Sequence, residues 1–395
     1  MPQPVRKQIQ ELHKDIIKEE PTLTLLVDGG SLLFSSMKED TVNSKGEHVG
    51  GIHQFLLQLR MQLTQRVFNR IVVTFDDTYS GYKRWELYKP YKENRDKDYE
   101  AYGVSEYMKQ YNERLKRMQN AIFSKNKKKE EKVVSSFEKF IDENFDRERG
   151  VLCQIFNELC IRWHMDEIVE GDDLIAYYCL HKKRNEKILI ISSDMDLTQL
   201  LSDDIMIYNQ KIKKYISNKN FREYFGYDYR NTLVKKIFCG DVSDNIGNIK
   251  GLSENKFAEL MPEYKEREIT IDEVKNKAKS LNEERIREKK KPLQLYDNII
   301  NGVSNKEYDG DFYVINEQII NLKKPLMTND AIEEMEGILE APLDMEDRSV
   351  KNLITLIYEN GIDDLMGDTK FASFFAPFKR IQEKEQEFFE KETKI

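Results

Sequence analysis

The sequence predicts an α/β fold, a mostly parallel central sheet flanked by helices, and three observations carry that expectation. Short apolar, β-branched runs recur and end in acids: Leu23–Asp28 (LTLLVD), Ile71–Asp76 (IVVTFD), and Ile188–Ser193 (ILIISS) followed by Asp194. Runs of this kind are strands buried between helix layers. Helix-period segments (Gly51–Arg66, Val151–Trp163 and Asp172–Lys182) alternate with them, as around a parallel sheet. Finally, ligand sites of such sheets form just past the carboxyl ends of the strands, which is where Asp28, Asp76 and Asp194 fall.

The 395 residues are 39% hydrophobic and 34% charged, with a mean hydropathy of −0.69, which excludes a disordered tail or a collagen-like polymer. The length suits two or three packed units. No stretch approaches the roughly 18 to 20 apolar residues of a bilayer span, and Met1–Glu20 has no apolar signal core. A cytoplasmic protein without membrane contact is expected. Cys153, Cys160, Cys179 and Cys239 form no C-x-x-C pair and have no nearby paired histidines, so they read as buried free thiols.

Between the second strand and the Val151 helix lies a long polar, Tyr- and Lys-rich stretch, Asp77 to about Arg149, too long for an ordinary connection. Val104–Phe123 and Glu130–Asn144 are helix-prone, so this is a charged helical excursion over the sheet. The whole chain carries a net charge of −8, yet Tyr107–Lys132 holds nine Lys/Arg against Glu113, Glu130 and Glu131. A basic segment on an acidic body suits a protein that binds phosphates in one place and concentrates carboxylates in another; the alternative is a solvated helix. After Phe221 the chain turns mainly helical, with turn signals at Gly240, Gly247 and Gly251, and Thr270–Pro292 is a second charged, exposed helical run. The expected division is an N-terminal extension 1–22, a core 23–218 with its excursion about 82–149, a segment 219–262, and a helical region 263–395 without an assigned role.

Carboxylates carry the chemistry. Val169–Ala176 (VEGDDLIA) places three acids just before an apolar helix. Asp172 and Asp173 suit the positive end of a helix dipole, an effect of about 0.3 to 2 kcal/mol, but Glu170 lacks that explanation. Asp194 and Asp196 straddle one residue at a strand end, and Asp241 and Asp244 sit in a Gly-led turn. Any one of Asp28, Asp76, Glu170, Asp172, Asp173, Asp194, Asp196, Asp241 and Asp244 reads as a cap or turn former. Nine together call for cations. Oxygen-rich, histidine-free ligation favours Mg²⁺ or Mn²⁺ over zinc. Two such ions about 3.5 to 4 Å apart clamp a phosphodiester for hydrolysis. A haloacid-dehalogenase-like phosphatase also uses Asp-rich loops and Mg²⁺, but needs a D-x-D nucleophile where Asp28 is followed by Gly29-Gly30-Ser31.

The order of the motifs LLVDGGSLLF, VVTFDD, YKENRD, EGDDLIAYY, SSDMDLTQLL and CGDVSDNIGNIKGL, spanning roughly Leu23–Pro262, resembles the structure-specific 5′-nuclease family. That family includes flap endonucleases, polymerase-associated 5′–3′ exonuclease domains and bacteriophage 5′-nucleases such as phage ribonuclease H. The resemblance implies a PIN-like nuclease core with a helical arch, and two divalent ions. Asp28, Asp76, Glu170, Asp172 and Asp194 would support the first, with Asp173 and Asp196 nearby, and Asp241 and Asp244 would complete the second. It implies that Lys92 and Arg95 hold the scissile phosphate and that Tyr91 stacks on a terminal base, with Lys83 and Arg84 as further phosphate contacts. Lys127, Lys128 and Lys129 would line the path of a 5′ single strand. Asp244–Leu252 resembles a helix–turn–helix element that grips duplex backbone through amides around Gly247 and Gly251, often with a K⁺ ion, and Lys256 would add a phosphate contact. Ser253 stands where the family commonly has glycine, a poor substitute if that position needs a positive φ.

The function so implied is a Mg²⁺- or Mn²⁺-dependent 5′–3′ exonuclease or flap endonuclease, a monomer acting in replication or repair on DNA with a 5′ flap, nick or end, or on RNA·DNA primers. Replication proteins are implied partners. Two alternatives remain: a PIN-like RNA endonuclease, against which the basic excursion and GDVSDNIGNIKGL count, and a non-catalytic junction-binding accessory protein, against which the full acid set counts.

Overall fold

The computed structural model describes residues 21–38, 41–93, 136–341, 348–363 and 371–392. Its strands are β1 (Thr22–Asp28), β2 (Arg70–Asp76), β3 (Arg162–Asp166), β4 (Glu186–Ile191), β5 (Ile205–Asn209) and β6 (Lys214–Ile216). They form one sheet in the order β3-β2-β1-β4-β5-β6, parallel except for the β5–β6 pair. The expected α/β class holds. β1, β2 and β4 are the runs that end in acids, and they occupy the centre because alternate residues feed both layers. Leu25 and Val27 of β1 pack on one side, Leu26 on the other.

The Leu25 side is covered by α1 (Gly29–Ser36), α2 (Gly50–Gln65) and α4 (Ser136–Leu159), with α3 (Tyr82–Leu87) lying between β2 and α4 in the chain. The Leu26 side is covered by α5 (Gly171–His181). It is joined there by α6 (Phe221–Phe225), α7 (Thr232–Cys239), α8 (Glu254–Leu260), α9 (Ile271–Arg287), α10 (Gln294–Asn301), α11 (Phe312–Ile320) and α12 (Asn329–Glu340). The last two helices, α13 (Val350–Glu359) and α14 (Phe371–Glu392), return to the Leu25 side, where Ile357, Phe374, Phe378 and Ile381 are buried with Phe55 and Phe156. Among the described residues, those of 263–395 form no separate core; they divide between the two faces of the sheet.

Two departures have local causes. The helix expected over Val151–Trp163 stops at Leu159. Cys160 takes a left-handed φ of +56°, Ile161 N–H donates to Phe156 O at 2.9 Å, and β3 begins two residues later. This is the closure usually built on glycine, and a cysteine does not announce it. β5 and β6 are short, and β3 is half polar. Cys153, Cys160 and Cys179 are buried, Cys239 is half-buried, and none is in a disulfide. Arg95, Lys127, Lys128 and Lys129, with most of the expected arch, lie outside the described residues. No helix among the described residues is long and apolar enough to cross a membrane.

Candidate metal centre and nucleic-acid interface

The strand order reverses where β1 neighbours β4, and a cleft of about 170 Å³ opens past the carboxyl ends of the sheet. Asp28, Asp76, Glu170, Asp172, Asp194, Asp196 and Asp244 line it with Arg84, Lys92 and Lys236. This is the position that the topology of an open α/β sheet reserves for ligands.

Asp28 ends β1 and caps α1: one oxygen accepts from Ser31 N–H at 2.9 Å and the other from the Ser192 hydroxyl, at the end of β4, at 2.6 Å. α1 starts without an intervening loop because residue 29 is glycine; a Cβ there would meet Thr74 O at 2.7 Å. Asp76, at the end of β2, accepts from Gly171 N–H at 2.6 Å and so caps α5 from another strand. The helix-start role expected of Asp172 and Asp173 is thus shared out differently. Both lie in the first turn of α5, but Asp172 lines the cleft while Asp173 turns to Arg84.

Three carboxylate groups result. Asp28, Asp76, Asp172 and Asp194 open into the cleft. Asp196, Asp241 and Asp244 bring one oxygen each within 4.8 Å of one another. Lys236 Nζ, on α7, pairs with Asp196 and lies 2.7 Å from Asp241 and 3.5 Å from Asp244. The third group is neutralised internally: Arg84 forks onto Asp173 and reaches Glu170 at 2.6 Å, Lys92 Nζ pairs with Glu170, and Tyr91 donates its hydroxyl to Glu170 at 3.0 Å.

Electrostatics separates these groups. Burial, aided by Asp76 and Asp194 and opposed by the bonds from Ser192 and Ser31, pushes Asp28 up to about 7. Burial and the surrounding acids, Asp194 first, raise Asp172 well above the carboxylate range. Burial lifts Asp196 to about 6 against the pull of Lys236. Glu170 is also raised by burial, but Arg84 and Lys92 outweigh this and hold it well below the ordinary range. At Asp241, Lys236 and the bonds from Ser243 overcome burial and bring it down to about 2. Among the described residues no ion pair reaches Asp28, Asp76, Asp172 or Asp194, whereas Glu170 is paired with Arg84 and Lys92, Asp173 with Arg84, and Asp196, Asp241 and Asp244 with Lys236. A donor set of carboxylates without histidine, converging from several elements, fits hard divalent cations.

Several expected phosphate contacts are placed otherwise. Arg84 is buried and fully used, by Asp173, Glu170 and Ile319 O at 2.8 Å. Tyr91 is 2% exposed, its ring enclosed and its hydroxyl on Glu170, so it offers no stacking face here. Lys83 is half-buried and outside the cleft. Lys92 does line the cleft, at a left-handed φ of +51° that is uncommon for a side-chain-bearing residue. Its amide donates to Asp244 O at 3.0 Å, joining the segment after α3 to the loop after α7.

That loop, between α7 and α8, carries the remaining expected residues. Gly247 N–H donates to the Tyr308 hydroxyl at 3.0 Å, so this amide is engaged within the protein rather than presented to phosphate. Gly251 is exposed at φ +86°, and Lys256 Nζ donates to its carbonyl at 2.9 Å. Ser253 has φ −107° and caps α8, so serine meets no steric objection there. Lys236 was not singled out by sequence reasoning; it is one of two adjacent lysines on an amphipathic helix, and only the fold turns it toward the acids. Nor were Ile319, Ile320 and Leu322, the apolar cleft wall that the C-terminal helices supply.

Fold and site together define a protein with an acidic, cation-ready centre on an open α/β sheet. Residues 23–226, more than half of the chain, match the family model for the 5′–3′ exonuclease N-terminal resolvase-like domain, and the chain belongs to that family. The DNA polymerase I of Bacillus subtilis (strain 168) is 25% identical over 348 residues, covering 83% of this chain and 34% of that protein. The 5′–3′ exonuclease of Mycoplasmopsis pulmonis (strain UAB CTIP) is 32% identical over 108 residues, 27% of this chain and 36% of that one. The chain thus spans about a third of these curated relatives. The fold is shared with T5 5′-exonuclease, solved with divalent metal ions (zinc) bound, at a TM-score of 0.53 and 15% identity over 86% of this chain and 99% of that one.

Proposed function

We propose that the protein is a divalent-metal-dependent, structure-specific nuclease that hydrolyses phosphodiester bonds at the 5′ ends and flaps of DNA. The observation that carries this reading is the cleft itself: carboxylates from the ends of β1, β2, β4 and the start of α5, without an ion pair among the described residues, share one space with Lys92. Asp28, Asp76, Asp172 and Asp194 would hold one Mg²⁺ or Mn²⁺, and Asp196, Asp241 and Asp244 a second. Bound there, the ions supply a nucleophilic water and stabilise the leaving oxygen. Family membership and the T5 fold likeness support this assignment.

The chain's own groups do the rest. Arg84 fixes Glu170 in the cleft wall and holds Asp173 outside it. Lys92 brings a positive charge to the cleft wall, where it neutralises charge gathering on the scissile phosphate. Arg95 is proposed to act beside it, and Lys127–Lys129 to contact the 5′ strand. The exposed Gly251–Lys256 surface would hold duplex backbone without reading bases.

A cleavage map on 5′-labelled flap, nicked and blunt DNA, RNA·DNA hybrid and single-stranded RNA, with and without Mg²⁺, tests the reading. Metal-dependent cuts near 5′ ends and flap junctions are expected. Cutting confined to single-stranded RNA would put a PIN-like RNA endonuclease in its place, and tight junction binding without cutting would mark an accessory protein.

A further inference from the structure

The α9–α10 hairpin meets its neighbours on the side of the proposed duplex surface. Leu295 of α10 packs 3.9 Å from where a Gly251 Cβ would stand, Asn298 Nδ2 donates to Lys250 O at 2.9 Å, and Lys250 N–H donates to Val303 O at 2.9 Å. The hairpin tip, Lys289–Lys291, ends four residues before Leu295 in the chain and is tied to the Gly251 loop through these contacts. Lys289, Lys290, Lys291, Lys250 and Lys256 are all exposed.

The tip is built. Lys289 takes a left-handed φ of +59°; its amide donates to Ile286 O at 2.9 Å, and that of Lys290 to Arg285 O at 2.8 Å. Arg285 Nε donates to Lys291 O at 2.9 Å, and Leu293 N–H to Asn282 Oδ1 at 2.8 Å, closing the turn onto α9. Arg285 and Arg287 have a structural reason to be basic, the carboxyl end of a helix. Lys289 and Lys291 lie past that end and have none. Of the acids nearby, Glu288 pairs with Lys290 at 2.7 Å, and Glu254 at the start of α8 with Lys235 at 2.8 Å.

On a chain with a net charge of −8, a fixed turn presenting exposed ammonium groups beside the proposed duplex-facing loop is unlike a random solvated run. We propose that the hairpin tip, through Lys289 and Lys291, is a second contact for the phosphate backbone of duplex DNA, extending the Gly251–Lys256 surface away from the cleft. This rests on the nuclease reading above. The contact carries no sequence preference, and it lengthens the duplex that the protein needs for full affinity.

The test uses the full chain carrying Lys289→Gln and Lys291→Gln, which leave the backbone bonds of the turn and the Lys290–Glu288 pair in place. Affinity for a flap DNA with a long duplex arm, and for one whose arm ends before the hairpin, is measured against salt with Ca²⁺ replacing Mg²⁺. On the long arm the slope of log affinity against log salt should fall by about 0.9 for each phosphate the variant no longer neutralises, up to roughly 1.8. The short arm should show no change, and wild type should bind the long arm more tightly. An unchanged slope on the long arm overturns the proposal and leaves the tip to another partner, such as an acidic peptide. Equal weakening on both arms overturns it too, since the lysines would then act through general charge. If wild type binds neither DNA, the nuclease reading fails and the hairpin with it, an outcome distinct from a wild type that binds and a variant that matches it.

Discussion

The two ends of the sheet each bury a cluster of charges, and they are built to opposite rules. At the amino end, Arg70, Glu385 and Glu186 lie buried beside the half-buried Arg162. Glu385 takes Arg162 at 2.6 Å and Arg70 at 3.4 Å, Arg70 also reaches the Tyr178 hydroxyl at 3.1 Å, and Glu186 accepts from Tyr178 at 2.7 Å and from Thr24. Two cations face two anions there. At the carboxyl end, seven carboxylates line an open cleft with Arg84, Lys92 and Lys236, and Asp173 and Asp241 pair with two of these cations among the described residues. A buried ionic network whose charges cancel is a device for holding elements together, here α14 and the end of α12 to the sheet. An unbalanced one is stable only with something added, and that difference marks which end does chemistry.

The sharpest way to break the comparison is Glu385→Ala. It leaves Arg70 and Arg162 buried without their anion and should cost about 3 to 5 kcal/mol in urea unfolding, while cleavage per folded molecule stays at the wild-type level. A small loss of stability, or a change in cleavage rate, would mean that the amino-end network is not the structural clamp described.

Asp194→Ala should do the reverse. Cleavage should fall at least about 10²-fold, the scale for removing one key electrostatic group, with the fold intact. The melting temperature of the metal-free protein should hold or rise, because a like charge has been removed. Near-normal turnover at saturating Mg²⁺ would contradict the metal assignment. Lys92→Ala sharpens the same contrast with a smaller effect. Its single-turnover rate should fall by about tenfold or more while binding in Ca²⁺ stays within a few-fold, since the charge matters most in the transition state. A loss confined to binding would make Lys92 a general phosphate contact.

How much of this was legible in the sequence follows the same division. β1, β2 and β4 stand out in the sequence because central strands buried on both faces must be continuously apolar, and their terminal acids point to the cleft. β3 was hidden because Cys160 closes α4 without glycine. The acids were countable, but their division was not: that Glu170 and Asp173 are neutralised by Arg84 and Lys92 depends on contacts between residues about 80 positions apart or more in the chain. Lys236 was invisible for the same reason, since a lysine on an amphipathic helix carries no mark of what it faces. The amino-end network was also missed, because Arg70 and Glu385 meet across 315 residues and no motif links them.

The smallest effect tests the carboxyl end by pH. In the folded, metal-free protein Asp28 titrates near 7 instead of near 3.8. Below about pH 4 it is protonated in both the folded and unfolded chains and contributes nothing. Between about 4 and 7 the unfolded chain ionises while the folded one resists, so a penalty on folding grows, and above about 7 it is constant. Asn at this position removes the penalty and keeps an oxygen for the Ser31 amide. Asp28→Asn in EDTA should therefore melt higher than wild type at pH 8, by on the order of 2 °C, and the gain should vanish towards pH 4. Asp241 has the opposite sign. Held near 2 by Lys236 against burial, it stabilises the fold above its ordinary 3.8, so Asp241→Asn should melt lower at neutral pH and converge with wild type as the pH falls towards 2. Adding Mg²⁺ should turn the Asp28→Asn gain into a loss, because the wild-type carboxylate then has its counter-charge. If Asp28→Asn instead melts below wild type in EDTA at every pH, Asp28 is chiefly the cap of α1, and the cleft is less starved of positive charge than its geometry implies.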